Sequence, residues 1–287
     1  VTNRRFLLSL AHPDDETFGS GGLVARYVAE GAAVYLICAT NGDVGTVPPE
    51  MLNGYPSVAE LRLAELDCAS AILGFKKVFK LGYKDSGMMN SETCNDPTCL
   101  WQAPREQVAR RVVEVIREVK PQVVLTFDPY GGYGHPDHIT IQRATTDAFQ
   151  LAGDASYVTG EQAPYAPQKL YYTAFPKTLF RIYIGLARLK GQDTRRLGRN
   201  RDLDLQAVLD NIKPVHTQIN VRDYIEIWDR ANTCHASQIG GGFPRLPLMV
   251  RKRIGHKQGF TRVYPAPAHN SVDEDDLFAG VAADGTG

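Results

Sequence analysis

The stretch Phe6-Leu7-Leu8-Ser9-Leu10-Ala11-His12-Pro13-Asp14-Asp15-Glu16 decides the fold. Its first five residues contain no turn former, which predicts a short buried strand over about 5–11. A histidine and three carboxylates follow within five residues. Groups this close repel one another and lose hydration unless something positive sits among them. A second apolar run, Val123-Val124-Leu125-Thr126-Phe127, precedes Gly134-His135-Pro136-Asp137-His138. In an open α/β sheet the carboxyl ends of parallel strands meet at one crevice. Two His/Asp clusters carried to that crevice make a metal site the leading reading.

Outward from these clusters, strand and helix alternate. Residues 33–38 read as a strand, Ser57-Val58-Ala59-Glu60 as a capping box opening a helix to about 73, and 77–81 as a third strand. The stretch 82–103 has no period and reads as a long loop, a kind that is usually functional. Pro104 suits a helix start, and Val108, Val112, Ile116 and Val119 keep helical spacing. A strand at 122–127, a helix at 139–151 and a strand at 169–173 follow. This order argues an α/β fold with a mainly parallel, doubly wound sheet flanked by helices. Beyond it the pattern weakens: a helix is expected at 178–190, a basic stretch at 191–202, a strand at 215–221 and a helix at 222–238. Gly and Pro dominate from 240, and the acidic tail from Asp273 is expected to fray. One domain over 1–287 is the simplest division, with a core of about 1–175 and an elaborated carboxyl-terminal region of about 176–287.

Lys+Arg and Asp+Glu both number 32, so the basic excess of a nucleic-acid surface is missing. No apolar stretch is long enough for an integral membrane segment. The chain enters its first strand within a few residues, without a signal-peptide pattern, and a cytoplasmic setting is the default. Of five cysteines, Cys38 and Cys68 read as buried thiols; Cys94 and Cys99 could form a zinc half-site or a disulfide but fit a plain loop.

Imidazole and carboxylate suit zinc, and a catalytic zinc keeps three protein ligands and one open position. His12, Asp15 and His138 supply two histidines and one carboxylate. Ferrous iron would accept the same ligands. Asp14, beside a ligand but not needed as one, is free to act as general base. His135 can donate to a developing oxyanion or leaving nitrogen, with Asp137 orienting its ring. Glu16 is expected only to complement the dipole of the helix that follows.

With the A-H-P-D-D-E at 11–16 and the G-H-P-D-H at 134–138 intact, the chain resembles the LmbE-like and N-acetylglucosaminyl-phosphatidylinositol de-N-acetylase family. The resemblance covers about residues 5–240. It implies a Rossmann-like core and a zinc-dependent N-deacetylase acting on an N-acetylglucosamine derivative or similar small N-acetylated sugar, with homo-oligomer formation left open. It also implies His12, Asp15 and His138 as metal ligands, Asp14 as base, His135 as electrophilic partner and Asp137 as its support. Tyr133 matches a tyrosine that stabilises the oxyanion. Arg62 and Asp85 match sugar-contacting positions, and His235 a late substrate-pocket histidine. Read from local pattern alone, Arg62 would pair with Glu65 on a solvated helix face, and Asp85 would only form a turn.

Two other classes compete. A dinucleotide-dependent oxidoreductase would use Gly19-Ser20-Gly21-Gly22, but the turn after the first strand is filled by His12 to Glu16, whose charge repels a pyrophosphate. The glycines are instead expected to let the helix pack closely on the sheet. A non-catalytic carbohydrate-binding protein on the same fold would be favoured by loss of Asp14 or a ligand, and all are present.

Overall fold

The computed structural model describes residues 3–174, 177–197, 203–239 and 247–282. Strands β1 (Arg5–Leu10), β2 (Ala33–Thr40), β3 (Lys77–Tyr83), β4 (Val123–Thr126) and β5 (Lys169–Ala174) run parallel. Two later strands, β6 (Thr217–Asn220) and β7 (Lys257–Tyr264), extend the sheet, with β7 antiparallel to both β5 and β6. The sheet order is β3-β2-β1-β4-β5-β7-β6. Progression reverses between β1 and β4, where Phe6 pairs with Val123 and Leu8 with Leu125. That is the switch point at which open α/β sheets bind ligands, and both His/Asp clusters leave the sheet there. Phe6, Leu7 and Leu8 are fully buried, as are all four residues of β4, because helices cover both faces.

The helical elements are the single turn α1 (Asp15–Phe18), α2 (Gly21–Ala29), α3 (Val58–Leu73), α4 (Arg105–Val119), the single turn α5 (Gly131–Gly134), α6 (Pro136–Leu151), α7 (Lys177–Leu189), α8 (Leu205–Asn211), α9 (Ile225–Cys234) and α10 (Leu248–Ile254). The Ser57 hydroxyl caps α3 by accepting from the Glu60 amide, and Gly74 closes the helix in the left-handed conformation. The loop 82–103 carries two short 3₁₀ turns. No helix among the described residues is long and apolar enough to cross a membrane.

Four expectations need correction. Over 273–282 the acidic tail is docked rather than frayed, with 283–287 outside the described residues: Glu274 accepts from Lys169 Nζ, Tyr171 Oη and Thr217 Oγ1, and Asp276 from Tyr27 Oη. Leu277 and Phe278 enter the core, where the Phe278 ring meets Tyr27 edge-on at 5.4 Å. Residues 257–264, hidden among Gly and Pro, form the long strand β7. Gly21 and Gly22 leave room for Trp228 of α9 rather than for the sheet: a Cβ on Gly21 would lie 2.4 Å from Trp228 Cδ1. Finally, Cys68 is not a free thiol but is disulfide-bonded to Cys234, joining α3 to the end of α9. Stable disulfides are typical of oxidising surroundings, a feature that the default of a cytoplasmic setting did not anticipate. Cys38, Cys94 and Cys99 are buried and unpaired.

Because Phe278 is only 5% exposed, Phe278→Ala should lower the unfolding free energy by about 3 kcal/mol or more. Denaturant titration measures this, and a change within about 0.5 kcal/mol, typical of a surface site, would show that the tail is not part of the core.

Candidate metal centre and cleft

Three electron-rich side chains meet at the switch point. His12 Nδ1 lies 3.1 Å from His138 Nε2 and 3.5 Å from Asp15 Oδ2, and His138 Nε2 lies 3.4 Å from Asp15 Oδ1. The outer hydrogen bond of each ring sets its tautomer. His12 Nε2 donates to Asp137 Oδ2 at 3.1 Å, and His138 Nδ1 donates to the Gly131 carbonyl at 3.1 Å. With His12 neutral, both inner nitrogens turn lone pairs to each other and to a carboxylate; a proton on His12 Nδ1, donated to His138 Nε2, or a cation in its place satisfies that convergence. Ligands about 2.0–2.2 Å from a tetrahedral ion stand about 3.3–3.5 Å apart, so the two imidazoles and the carboxylate, 3.1 to 3.5 Å apart, fit a divalent metal with one position open. His135 can offer a further ligand atom beside His12 and His138, and it lines the cleft.

The local chain is built to hold this geometry. Asp15 Oδ2 accepts from the amides of His12 at 2.7 Å and Ala11 at 3.2 Å, which fixes the carboxylate beneath the turn. Phe127 stacks on the His138 ring with centroids 3.9 Å apart. Asp128 accepts from the amides of Tyr130 and Gly132, shaping a turn in which Gly131, Gly132 and Gly134 all have positive φ. A Cβ on Gly131 would lie 2.9 Å from His138 Cβ. Glycine lets this turn pass close enough for its carbonyl to reach the histidine.

Asp14 has φ 149° and ψ −24°, a region that L-residues rarely adopt and that costs about 1–3 kcal/mol. Arg62, 3% exposed, secures it from α3. Nη2 donates to the Pro13 carbonyl at 2.9 Å and to Asp14 Oδ2 at 3.0 Å, while Nη1 donates to the Gly42 carbonyl. Gly42 is glycine for this reason: its φ is +66°, and a Cβ would meet the guanidinium at 2.4 Å. Burial pushes the Asp14 carboxyl up to about 6, and the neighbouring Asp15 charge adds to this against the opposing pull of Arg62. Burial, with the neighbouring histidines, pushes His135 down to about 3; His138 falls to about 4, chiefly by burial. Both rings are neutral at pH 7. For His12, burial works against the charged form, but Asp85, Asp137 and Asp15 hold it well above the ordinary value.

The centre opens into a cleft of about 590 Å³ that His12, Asp14, Arg62, Asp85, Tyr133 and His135 help to line, a volume suited to a small organic ligand. Tyr133 stands at the rim, 37% exposed, with its ring 5.0 Å from that of His138. Asp85 turns its carboxylate toward His12 and Arg62, 3.6 and 3.7 Å away. The solvated Arg62–Glu65 pair does not form; Glu65 is buried and accepts from the Ser237 amide and hydroxyl. Asp137 does not grip the His135 ring with its carboxylate, which goes to His12 and to the amide and hydroxyl of Ser86. It is the Asp137 amide that donates to His135 Nδ1, at 3.2 Å. His235 lies outside the cleft, fully buried against Glu16, whereas Ser237 and Gln238 just beyond it reach the lining. Ser86, Asp128 and Phe127 escaped the sequence reading. Only Asp128, just after the β4 run and before the glycines, carried a signal that could have marked it.

Residues 7–149 match the family described as PIG-L, GlcNAc-PI de-N-acetylase. A Thermobifida fusca protein named 1D-myo-inositol 2-acetamido-2-deoxy-alpha-D-glucopyranoside deacetylase is 36% identical over 97% of this chain and its own full length. A protein of the same name from Thermomonospora curvata is 43% identical over 65% of each chain. Among solved structures, the N,N'-diacetylchitobiose deacetylase of Pyrococcus horikoshii superposes with a TM-score of 0.61 at 17% identity, covering 93% of this chain and 88% of its own. A conserved protein of Thermus thermophilus gives 0.59 at 20%, covering 94% and 98%. These two share the fold. The chain belongs to the PIG-L, or LmbE-like, family of de-N-acetylases.

His12→Ala combined with His138→Ala should abolish stoichiometric metal while leaving the far-ultraviolet circular dichroism unchanged. Elemental analysis showing one equivalent of metal in the folded double variant would refute the donor set.

Proposed function

We propose that this protein hydrolyses the N-acetyl amide of an amino-sugar conjugate, of the glucosaminyl-inositol class named for its relatives, releasing acetate and a free amine. The observation that carries this reading is the convergence of His12, Asp15 and His138 beside the constrained Asp14, which lines the cleft. Zinc is the metal we assign, with ferrous iron as the alternative that accepts the same donors. Held there, the ion would supply Lewis acidity, polarising the acetamide carbonyl and making water acidic near neutral pH.

Asp14 takes the proton of the attacking water. One of its oxygens is occupied by Arg62, which leaves the other to act as base, and a value near 6 suits proton transfer in both directions. His135 accepts the Asp137 amide at Nδ1, so Nε2 carries the proton. Neutral and facing the cleft, that N–H serves as a donor to the developing oxyanion or to the departing nitrogen. Asp137 acts through its amide on His135 and through its carboxylate on His12, coupling the donor and the ligand in one residue. Tyr133, carried on the glycine turn at the rim, closes on the oxyanion. Arg62 and Asp85, which also line the cleft, are assigned to the sugar hydroxyls. The presence of base, ligands and donor together favours catalysis over simple carbohydrate binding.

Asp14→Asn should retain metal and bind substrate normally while kcat falls at least about a hundredfold; steady-state kinetics on metal-replete protein with near-normal turnover would exclude the base role. Tyr133→Phe should lower kcat more than it raises KM, because an oxyanion contact exists only in the transition state. A raised KM with unchanged kcat would instead make Tyr133 a ground-state sugar contact.

A further inference from the structure

Glu16 and His235 form a buried pair that neither the metal set nor the cleft uses. Both are fully buried, and neither lines the cleft. Glu16 Oε2 accepts the Asp14 amide at 3.0 Å, and Glu16 Oε1 accepts from His235 Nε2 at 2.6 Å. A residue that only complements a helix dipole can do so from the surface, with no side-chain donor of its own. Here the carboxylate follows Asp14 and Asp15 directly, so repulsion would drive it away from the turn unless a donor held it inside. His235 is that donor, delivered from 219 residues along the chain. It sits immediately after Cys234, which is tied to Cys68 on α3, and two residues before Ser237, which is tied to Glu65 on the same helix. The segment is therefore anchored on both sides of the histidine, and to the helix that also carries Arg62.

We propose that Glu16 and His235 are positioning residues for Asp14: they hold its amide, and with it the unusual backbone angle that aims its carboxylate into the cleft. Arg62 fixes the carboxylate end and Glu16 the backbone end, so the direction of the carboxylate is set at two points. The inference rests on Asp14 being the base. It reassigns His235 from touching substrate to acting through Glu16.

The test compares His235→Leu, which fills the volume without a donor, with His235→Gln, whose amide N–H can reach Glu16, and adds Glu16→Ala and the Glu16→Ala/His235→Leu double variant. Deacetylation of N-acetylglucosaminyl-inositol is measured alongside metal content and thermal melting. His235→Leu is expected to lower kcat at least tenfold with KM within twofold and metal stoichiometry unchanged. His235→Gln should recover activity to within about threefold of the parent. The double variant should be no worse than Glu16→Ala alone, since the two act as one chain. A raised KM with intact kcat would overturn the inference in favour of a substrate contact. Equal losses in the Leu and Gln variants, tracking melting temperature or metal content, would overturn it in favour of a purely structural role, and so would additive losses in the double variant. Asp14→Asn run in parallel separates the two claims. Full turnover there defeats the base reading itself, whereas an inactive Asp14→Asn beside an unimpaired His235→Leu defeats only the positioning.

Discussion

Two imidazole nitrogens and a carboxylate converge within 3.1 to 3.5 Å of one another at the switch point, a set that needs a proton or a cation among its members. Each group is locked in place by a partner on its far side, so none can turn away. His12 is held by Asp137, His138 by the Gly131 carbonyl, and Asp15 by two backbone amides. Much of the surrounding fold can be read as what that confinement requires. The switch point between β1 and β4 brings the two turns together, the glycine-rich turn lets a carbonyl approach, and the loop after β3 supplies Ser86 to hold Asp137.

The central parallel strands β1 and β4 were legible because they are buried on both faces and so read as unbroken apolar runs, as in Phe6 to Leu10 and Val123 to Phe127. The candidate ligands were legible because ionisable residues clustered at strand ends have few structural uses. What failed was information that does not lie in local pattern. Strand β7 opens on Lys-Gln-Gly, and of its buried residues Phe260, Thr261 and Arg262 only Phe260 is apolar, so no apolar run marks it. The docking of the acidic tail depends on Lys169 and Tyr171, 105 and 103 residues from Glu274 in sequence, together with the nearer Arg262. Arg62 looked like a surface cation because its helix carries charges on several sides; its burial follows only once Gly42 and Gly45 are seen to make room for the guanidinium.

The partner of Asp137 shows the same limit at atomic scale. The spacing from His135 invites a side-chain contact, yet the helical start at Pro136 turns the carboxylate inward and leaves the amide to face His135. Sequence named the residues that assemble. Which atom of each does which job came from the backbone.

The Cys68–Cys234 bond closes a loop of 166 residues that takes in β3 to β6, the glycine turn and most of α9. Cleavage at an exposed site inside that loop, such as Arg195 or Arg196, would yield two pieces that still migrate as one on a gel run without thiol. The amino-terminal piece would keep His12, Asp14, Asp15, His135 and His138, and the other would keep His235 and the docked tail. The bond thus makes the molecule a clasped pair: a nick that would part an ordinary chain leaves both halves captive, until a reductant opens the clasp.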